Sequence, residues 1–266
     1  MKAIILSAGQ GKRLFPITKR LPKCLIDIKG LSILEWQLEV LCSCRIREIV
    51  VVTGFQHEKI EALIKNKYRS ENIRTLYNED FNSTDNMFSC WKSRLEMKED
   101  FILLNGDTLF EPEILKRLIQ YASGPITITI NTKDKYDADD MKVIVQDSKL
   151  LRVGKELPMK QVNGESIGLS LFKGQGPALF MEALCRAVKR SGAEKRWYLS
   201  VIDELAQKQK VHVVDITGLS WCEIDYPRDL KSAERVVQVI KKALLSSNYE
   251  GQLHMDPCRQ TVGMTK

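Results

Sequence analysis

The stretch KAIILSAGQGKRLFPITKRLPKCL, residues 2–25, joins the apolar run Ala3–Leu6 to a loop with two glycines, two prolines, five Lys or Arg and no acid. A strand ending at Leu6 or Ser7 sends the backbone of Ala8, Gly9 and Gly11 to the carboxyl edge of a sheet, where open α/β folds bind their ligands. Glycine there lets N–H groups approach an anion closely. The pattern is not a P-loop, and Leu14 stands where the third glycine of a dinucleotide fingerprint belongs. Arg13 can fork onto phosphate oxygens, Lys23 offers a compact charge, and Pro16 and Pro22 stiffen the loop between them.

Outward from this stretch, short apolar runs alternate with amphipathic ones. KAIILS, EIVVVTG, IRTLYN, DFILLNGD and PITITI read as buried strands; SILEWQLEVLCS, HEKIEALIKNKY, a segment near 85–95 and PEILKRLIQYA read as helices. That order predicts an α/β fold, doubly wound around a mainly parallel sheet. After residue 131 the segments MKVIVQD, LLRVGK and ESIGLSLF look antiparallel, so 132–172 is expected to be a substrate-facing insertion on the sheet. Helices near 175–190 and 198–208, the strand VHVVDI and a helix over about 227–245 follow. Residues 1–245 are expected to form one domain and 246–266, which lack periodicity, a mobile tail.

The chain has 266 residues, 44% of them apolar, a formal charge of +7 and a pI near 9.0. The positive balance fits an anionic partner, but helices such as DLKSAERVVQVIKKALL carry much of it. No apolar run suits a signal peptide or membrane span, so a soluble cytoplasmic protein with no membrane partner is expected. Seven cysteines form no CxxC pair, and three scattered histidines argue against a histidine-centred site. A nucleic-acid module, or a basic face interleaved with aromatics, is also missing, so no nucleic-acid partner is expected.

LSAGQGKRLFPITKRLPKCLIDIKG resembles the signature LxAGxGxRLxPxTxxxPKxLxxxxG of nucleoside-triphosphate transferases. The resemblance covers roughly residues 1–240 and implies a Rossmann-like nucleotidyltransferase sheet and Mg²⁺-dependent nucleotidyl transfer. Leu6, Ala8, Gly9, Gly11 and Asp107 would then hold the nucleotide, and Arg13 and Lys23 would act on the reacting phosphates. Asp107, at the tip of ILLNGD, and Asp225, in WCEIDYPRDL, would share Mg²⁺; the residues themselves also allow Asp107 to cap a turn and Asp225 to flank a helix cap.

LYNEDFNSTDNMFSCW is similar to a segment of bacterial phosphocholine cytidylyltransferases and of relatives that activate phosphonates such as 2-aminoethylphosphonate. Asn86 matches that pattern and on the likeness would bind the nucleotide, whereas Asp85 replaces an Asn; a side chain here could read the base, and Ser83, Thr84 or Asp85 could instead cap a helix. DADDMKVIV, NGESIGLSLF and EKRWYLSVIDEL look like further stretches of this subgroup. On that likeness Lys142 would meet the acceptor's phosphate and Glu165 its polar end. Tyr136, Trp197, Tyr198, Asp203 and Trp221 would surround an ammonium head. Structural roles for each, as exposed strand charges or helical core aromatics, stay open. The expected partners are CTP and a small zwitterionic phosphate or phosphonate, with a homodimer allowed. The alternatives are a sugar-1-phosphate nucleotidylyltransferase using UTP, dTTP or GTP, and a non-catalytic nucleotide-binding protein.

Overall fold

A computed structural model describes residues 1–68, 72–208 and 210–250. The strands are β1 (Lys2–Ser7), β2 (Asp27–Ile28), β3 (Leu31–Ser32), β4 (Glu48–Thr53), β5 (Ile73–Tyr77), β6 (Phe101–Asn105), β7 (Thr108–Phe110), β8 (Ile126–Asn131), β9 (Lys142–Gln146), β10 (Lys149–Gly154), β11 (Gly164–Phe172), β12 (Val211–Asp215) and β13 (Trp221–Glu223). The helices are α1 (Ile33–Ser43), α2 (His57–Lys67), α3 (Asn86–Lys92), α4 (Pro112–Tyr121), α5 (Gly176–Ala187), α6 (Leu199–Ala206) and α7 (Leu230–Glu250).

The main sheet runs β5-β4-β1-β6-β11-β8-β12-β10-β9. β5, β4, β1 and β6 are parallel, as the alternation of strands and helices requires. Side chains on successive residues leave opposite faces of a strand, and the core divides accordingly. Ala3, Ile5, Ile49, Val51, Ile102 and Leu104 pack with residues of α1, α2, α4 and α7. Ile4, Leu6, Val50, Val52 and Leu103 pack with α3, α5 and α6. Helices therefore cover both faces, which is why these strands read as unbroken apolar runs.

The antiparallel segments expected on the sheet over 132–172 are woven into it. β11, buried along its whole length, lies in the middle of the sheet, antiparallel to β6 on one side and β8 on the other. β9 pairs with β10 and also with the start of β11, through Gly164↔Val143 and Glu165↔Lys142. The strands β11, β8, β12, β10 and β9 thus close a circuit of hydrogen bonds. Between Ser166 and Ser170 the β11–β8 register shifts, around Gly168 at φ +74°. A Cβ on Gly168 would come within 2.3 Å of the Asn105 side chain, so the bulge needs glycine to lie against the end of β6.

α7 continues to Glu250, five residues beyond the end expected from the sequence; 251–266, the rest of the expected tail, lies outside the described residues. No helix among the described residues is long and apolar enough to cross a membrane.

Candidate active site

β1 and β6 run side by side, with Leu6 opposite Asn105, so the glycine loop after β1 and Gly106-Asp107 after β6 emerge at one edge. A Cβ on Gly106 would fall 2.4 Å from Ser7 Oγ; only glycine lets the two loops touch. Buried Gln37 of α1 donates its amide to the carbonyls of Asn105 and Thr108, 2.8 Å each, and so fixes the turn that carries Asp107. Between these loops and the β11 bulge lies a cavity of about 410 Å³.

Asp225 reaches the cavity by strand pairing. β7 follows Asp107 and pairs antiparallel with β13, Glu223 opposite Thr108, and the Ile224 N–H donates to the Asp107 carbonyl at 3.1 Å. Two acids 118 positions apart therefore face each other across a two-stranded ribbon. Asp229, the neighbouring acid, takes no part in the cavity. Its carboxylate accepts the N–H groups of Asp225 at 2.9 Å and Tyr226 at 2.7 Å, shaping the turn before α7.

The Lys23 ammonium lies between the two acids, 2.7 Å from Asp107 Oδ2 and 2.6 Å from Asp225 Oδ1. Burial by itself disfavours this charge, but the carboxylates of Asp107 and Asp225 outweigh it and hold the pKa above that of an ordinary lysine. Gly11 makes room for the side chain: its φ is +71°, and a Cβ there would meet Lys23 Cβ at 3.0 Å. The Thr18 hydroxyl donates to the Gly11 carbonyl at 2.6 Å and closes the loop.

Arg13 is 3.3 Å from Asp225 Oδ2 and lies over the Tyr226 ring at 5.3 Å; half-exposed, it remains available to an anion. Asp139 joins three groups at the cavity mouth: Arg13 at 3.8 Å, Lys155 at 3.4 Å and the Tyr226 hydroxyl, which donates at 3.0 Å. The Tyr226 hydrogen bond, then the charges of Arg13 and Lys155, hold the Asp139 carboxyl below its usual range. The Lys155 ammonium sits 4.6 Å over the Trp197 ring. Glu223 opens onto the cavity space but has protein on most sides, and this surrounding protein, then Asp107 and Asp225, push its carboxyl upward.

The donor set suits a hard divalent cation. Asp107 Oδ1 is buried without a hydrogen-bond partner, and the two carboxylates already converge on one cationic group. No cluster of three or more His, Cys, Asp or Glu among the described residues could hold a metal alone. Two carboxylates that leave other positions to phosphate and water match the coordination habit of Mg²⁺.

Of the residues singled out in the sequence, Leu6, Gly9, Arg13, Lys23, Asn86, Asp107 and Asp225 line the cavity, as does Trp197. Asn86 opens α3, and its Oδ1 accepts the Tyr198 N–H at 3.0 Å, which leaves its amide hydrogens as the remaining donors. Ala8 and Gly11 serve the loop rather than the cavity wall; the Ala8 carbonyl accepts the Phe55 N–H at 3.0 Å.

Of the seven residues expected around the acceptor, Trp197 alone lines the cavity. Tyr198 is fully buried among residues of α5 and α6, and Trp221 packs against the core on the other face. The Lys142 ammonium is spent on the carbonyls of Ala138, Asp140 and Lys155. Buried Glu165 is taken up by Asn131 at 3.1 Å and Lys133 at 2.7 Å, and the Tyr136 hydroxyl accepts the Lys133 N–H at 3.3 Å. Asp203 accepts from Arg152 Nε at 3.0 Å and from the Val153 N–H at 2.8 Å, tying α6 to β10. Asp139, Lys155 and Glu223 stand at the cavity in their place. Glu223 had a readable signal, since residues two apart on an extended chain share a side and Asp225 is two residues on. Asp139 and Lys155 meet only through the pairing of β9 with β10, for which the sequence carries no local mark.

The model of the nucleotidyl transferase family matches residues 2–235. The chain is 29% identical over 244 residues to the CMP-5'-(3-aminopropyl)phosphonate synthase of Streptomyces rubellomurinus, covering 88% of this chain and 38% of that protein. It is 28% identical over 253 residues to the CTP:phosphoglutamine cytidylyltransferase of Campylobacter jejuni, covering 87% of this chain and 98% of that protein. The inositol-1-phosphate CTP transferase of T. maritima superposes with a TM-score of 0.78 at 23% identity, over 91% of this chain and 96% of its own, and so shares the fold. A glycine loop, a buried lysine and two strand-borne acids at one sheet edge, with a family match running almost the length of the sheet, have one reading: the chain belongs to the nucleotidyl transferase family.

Proposed function

We propose that this protein transfers CMP from CTP to a small phosphate or phosphonate acceptor and releases pyrophosphate, with Mg²⁺ held by Asp107 and Asp225. The observation that carries the proposal is the convergence of Asp107 and Asp225 on one cationic position, with Arg13 and Lys155 flanking it as separate cations. These two positive groups, joined through Asp139, suit two phosphate-bearing substrates. The names of the two relatives above, one acting with a phosphonate and one with phosphoglutamine, support CTP and an acceptor of this class.

An acceptor phosphate or phosphonate oxygen attacks the α-phosphorus in line. The new P–O bond forms as the bond to the bridging oxygen breaks, and pyrophosphate leaves with the electron pair. Arg13 neutralises the departing pyrophosphate, Lys23 the reacting α-phosphoryl group, and Lys155 orients the acceptor's phosphate. Bound Mg²⁺ supplies charge neutralisation across the phosphate oxygens. Gly9 lets the chain approach the nucleotide, and the Asn86 amide donates to the acceptors on its base. Trp197 and Asp139, both engaged by the Lys155 ammonium, hold that charge in place for the acceptor's phosphate.

Pyrophosphate release, measured with CTP, UTP, dTTP and GTP against phosphocholine, 2-aminoethylphosphonate, 2-hydroxyethylphosphonate and glucose 1-phosphate, tests the proposal. Turnover of CTP with one of the first three acceptors is expected. Turnover confined to glucose 1-phosphate with UTP, dTTP or GTP would make the protein a sugar-phosphate enzyme. No turnover with any pair would favour a nucleotide-binding role.

A further inference from the structure

The position between Asp107 and Asp225 is held by the protein's own cation. Lys23 Nζ is 2.7 Å from Asp107 Oδ2 and 2.6 Å from Asp225 Oδ1, buried, and kept in place by the Gly11 turn against its aliphatic stem. Asp107 faces the Lys23 ammonium, Asp225 faces both Lys23 and the guanidinium of Arg13, Arg13 is shared with Asp139, and Glu223 adds a further carboxyl beside the pair. A divalent ion entering alone would meet carboxylate oxygens already committed and would be repelled by the Lys23 ammonium in a partly desolvated place. The partnerless Asp107 Oδ1 gives such an ion a single oxygen, next to an ammonium on the same carboxylate.

We infer that Lys23 is a built-in competitor of the metal: it occupies the carboxylate pair until a triphosphate draws it away, so the site takes up a divalent ion with nucleotide and rejects the ion alone. The inference rests on the reading of Asp107 and Asp225 as metal ligands and adds that Lys23 controls access to them. A polyanionic triphosphate meets both requirements of the exchange. It gives the ammonium a new partner, and its charge offsets that of the incoming ion. Lys23 is a positioning residue in this step as well as a phosphate contact in the next.

The test is binding of Mn²⁺, used as a paramagnetic probe for the divalent ion, to the purified full chain, read from the electron paramagnetic resonance signal of free Mn²⁺. Wild type, Lys23→Gln, Lys23→Met and Lys23→Arg are compared without nucleotide. Both neutral variants are included because they alter packing in different ways, and thermal melting identifies whichever is folded. The neutral variants are expected to bind one Mn²⁺ at least tenfold more tightly than wild type, and adding Asp107→Asn should abolish that gain. Lys23→Arg, which keeps the charge, should resemble wild type. CTP should restore Mn²⁺ binding to wild type. A folded neutral variant with no gain, beside wild type that binds Mn²⁺ with CTP in an Asp107-dependent way, would overturn the competition and leave the metal reading standing. Absence of Asp107-dependent binding in every form, with or without CTP, would overturn both.

Discussion

Gly11 and Lys23 depend on one another. The left-handed backbone at Gly11 would cost a side-chain-bearing residue about 1 kcal/mol, and the added Cβ would press on the Lys23 stem at 3.0 Å. Gly11→Ala is therefore expected to lower the melting temperature by a few degrees and to reduce turnover several-fold; unchanged values for both would mean that the loop has slack. Lys23→Ala removes the shared partner of Asp107 and Asp225 and is expected to reduce turnover by about 10²-fold or more, read as pyrophosphate release under saturating CTP. At this scale Arg13, Lys23 and Asp107 were readable because each stands at a strand or loop end where chemistry collects, whereas Asp225 stood out from a helix cap only through the likeness to the transferase family. The acceptor side was not. Trp197 lies just outside α6 and faces the cavity, whereas Tyr198, one residue on, turns into the core. A change of one residue at a helix entrance reverses which ring is inside, and composition cannot show it.

Elements are held in register by the polar groups first assigned to the acceptor. Asp203→Ala leaves the Val153 N–H and Arg152 without their acceptor at the α6–β10 contact. A stability loss of about 1–3 kcal/mol is expected in urea unfolding, with the acceptor KM within twofold of wild type. A large rise in KM at unchanged stability would return Asp203 to the acceptor site. Lys142→Met similarly strips three carbonyls of a buried donor around the loop that carries Asp139. The strands and helices were legible from their periodicity, since each buries a regular face. Their partners were not: β11 is a long buried strand whose sequence suits any central position, and only nonlocal pairing places it between β6 and β8. The bulge at Gly168 is the visible trace of that placement.

Across the whole molecule, the two-faced core makes the cysteines unequal. Cys24 and Cys90 are buried, and desolvation pushes the Cys24 thiol up to about 12 and that of Cys90 up as well, so neither presents a thiolate near neutrality. Among the described cysteines, iodoacetamide at pH 8 is expected to modify the partly exposed Cys185 before Cys24 and Cys90, which it reaches only in denaturant. Rapid labelling of Cys90 in the folded protein would mean that the α3 side of the sheet opens. The same architecture sets the reaction: two sheets of different pairing, the main one and the β7–β13 ribbon, bring Asp107 and Asp225 together beneath the glycine loop. The most direct measurement is a ³¹P nuclear magnetic resonance time course with CTP, Mg²⁺ and 2-aminoethylphosphonate or phosphocholine, run beside folded Asp107→Asn. New resonances of a CMP–acceptor anhydride, rising with free pyrophosphate in wild type and missing in the variant, are predicted. Simple CTP hydrolysis, or product formation at the wild-type rate in Asp107→Asn, would contradict the account.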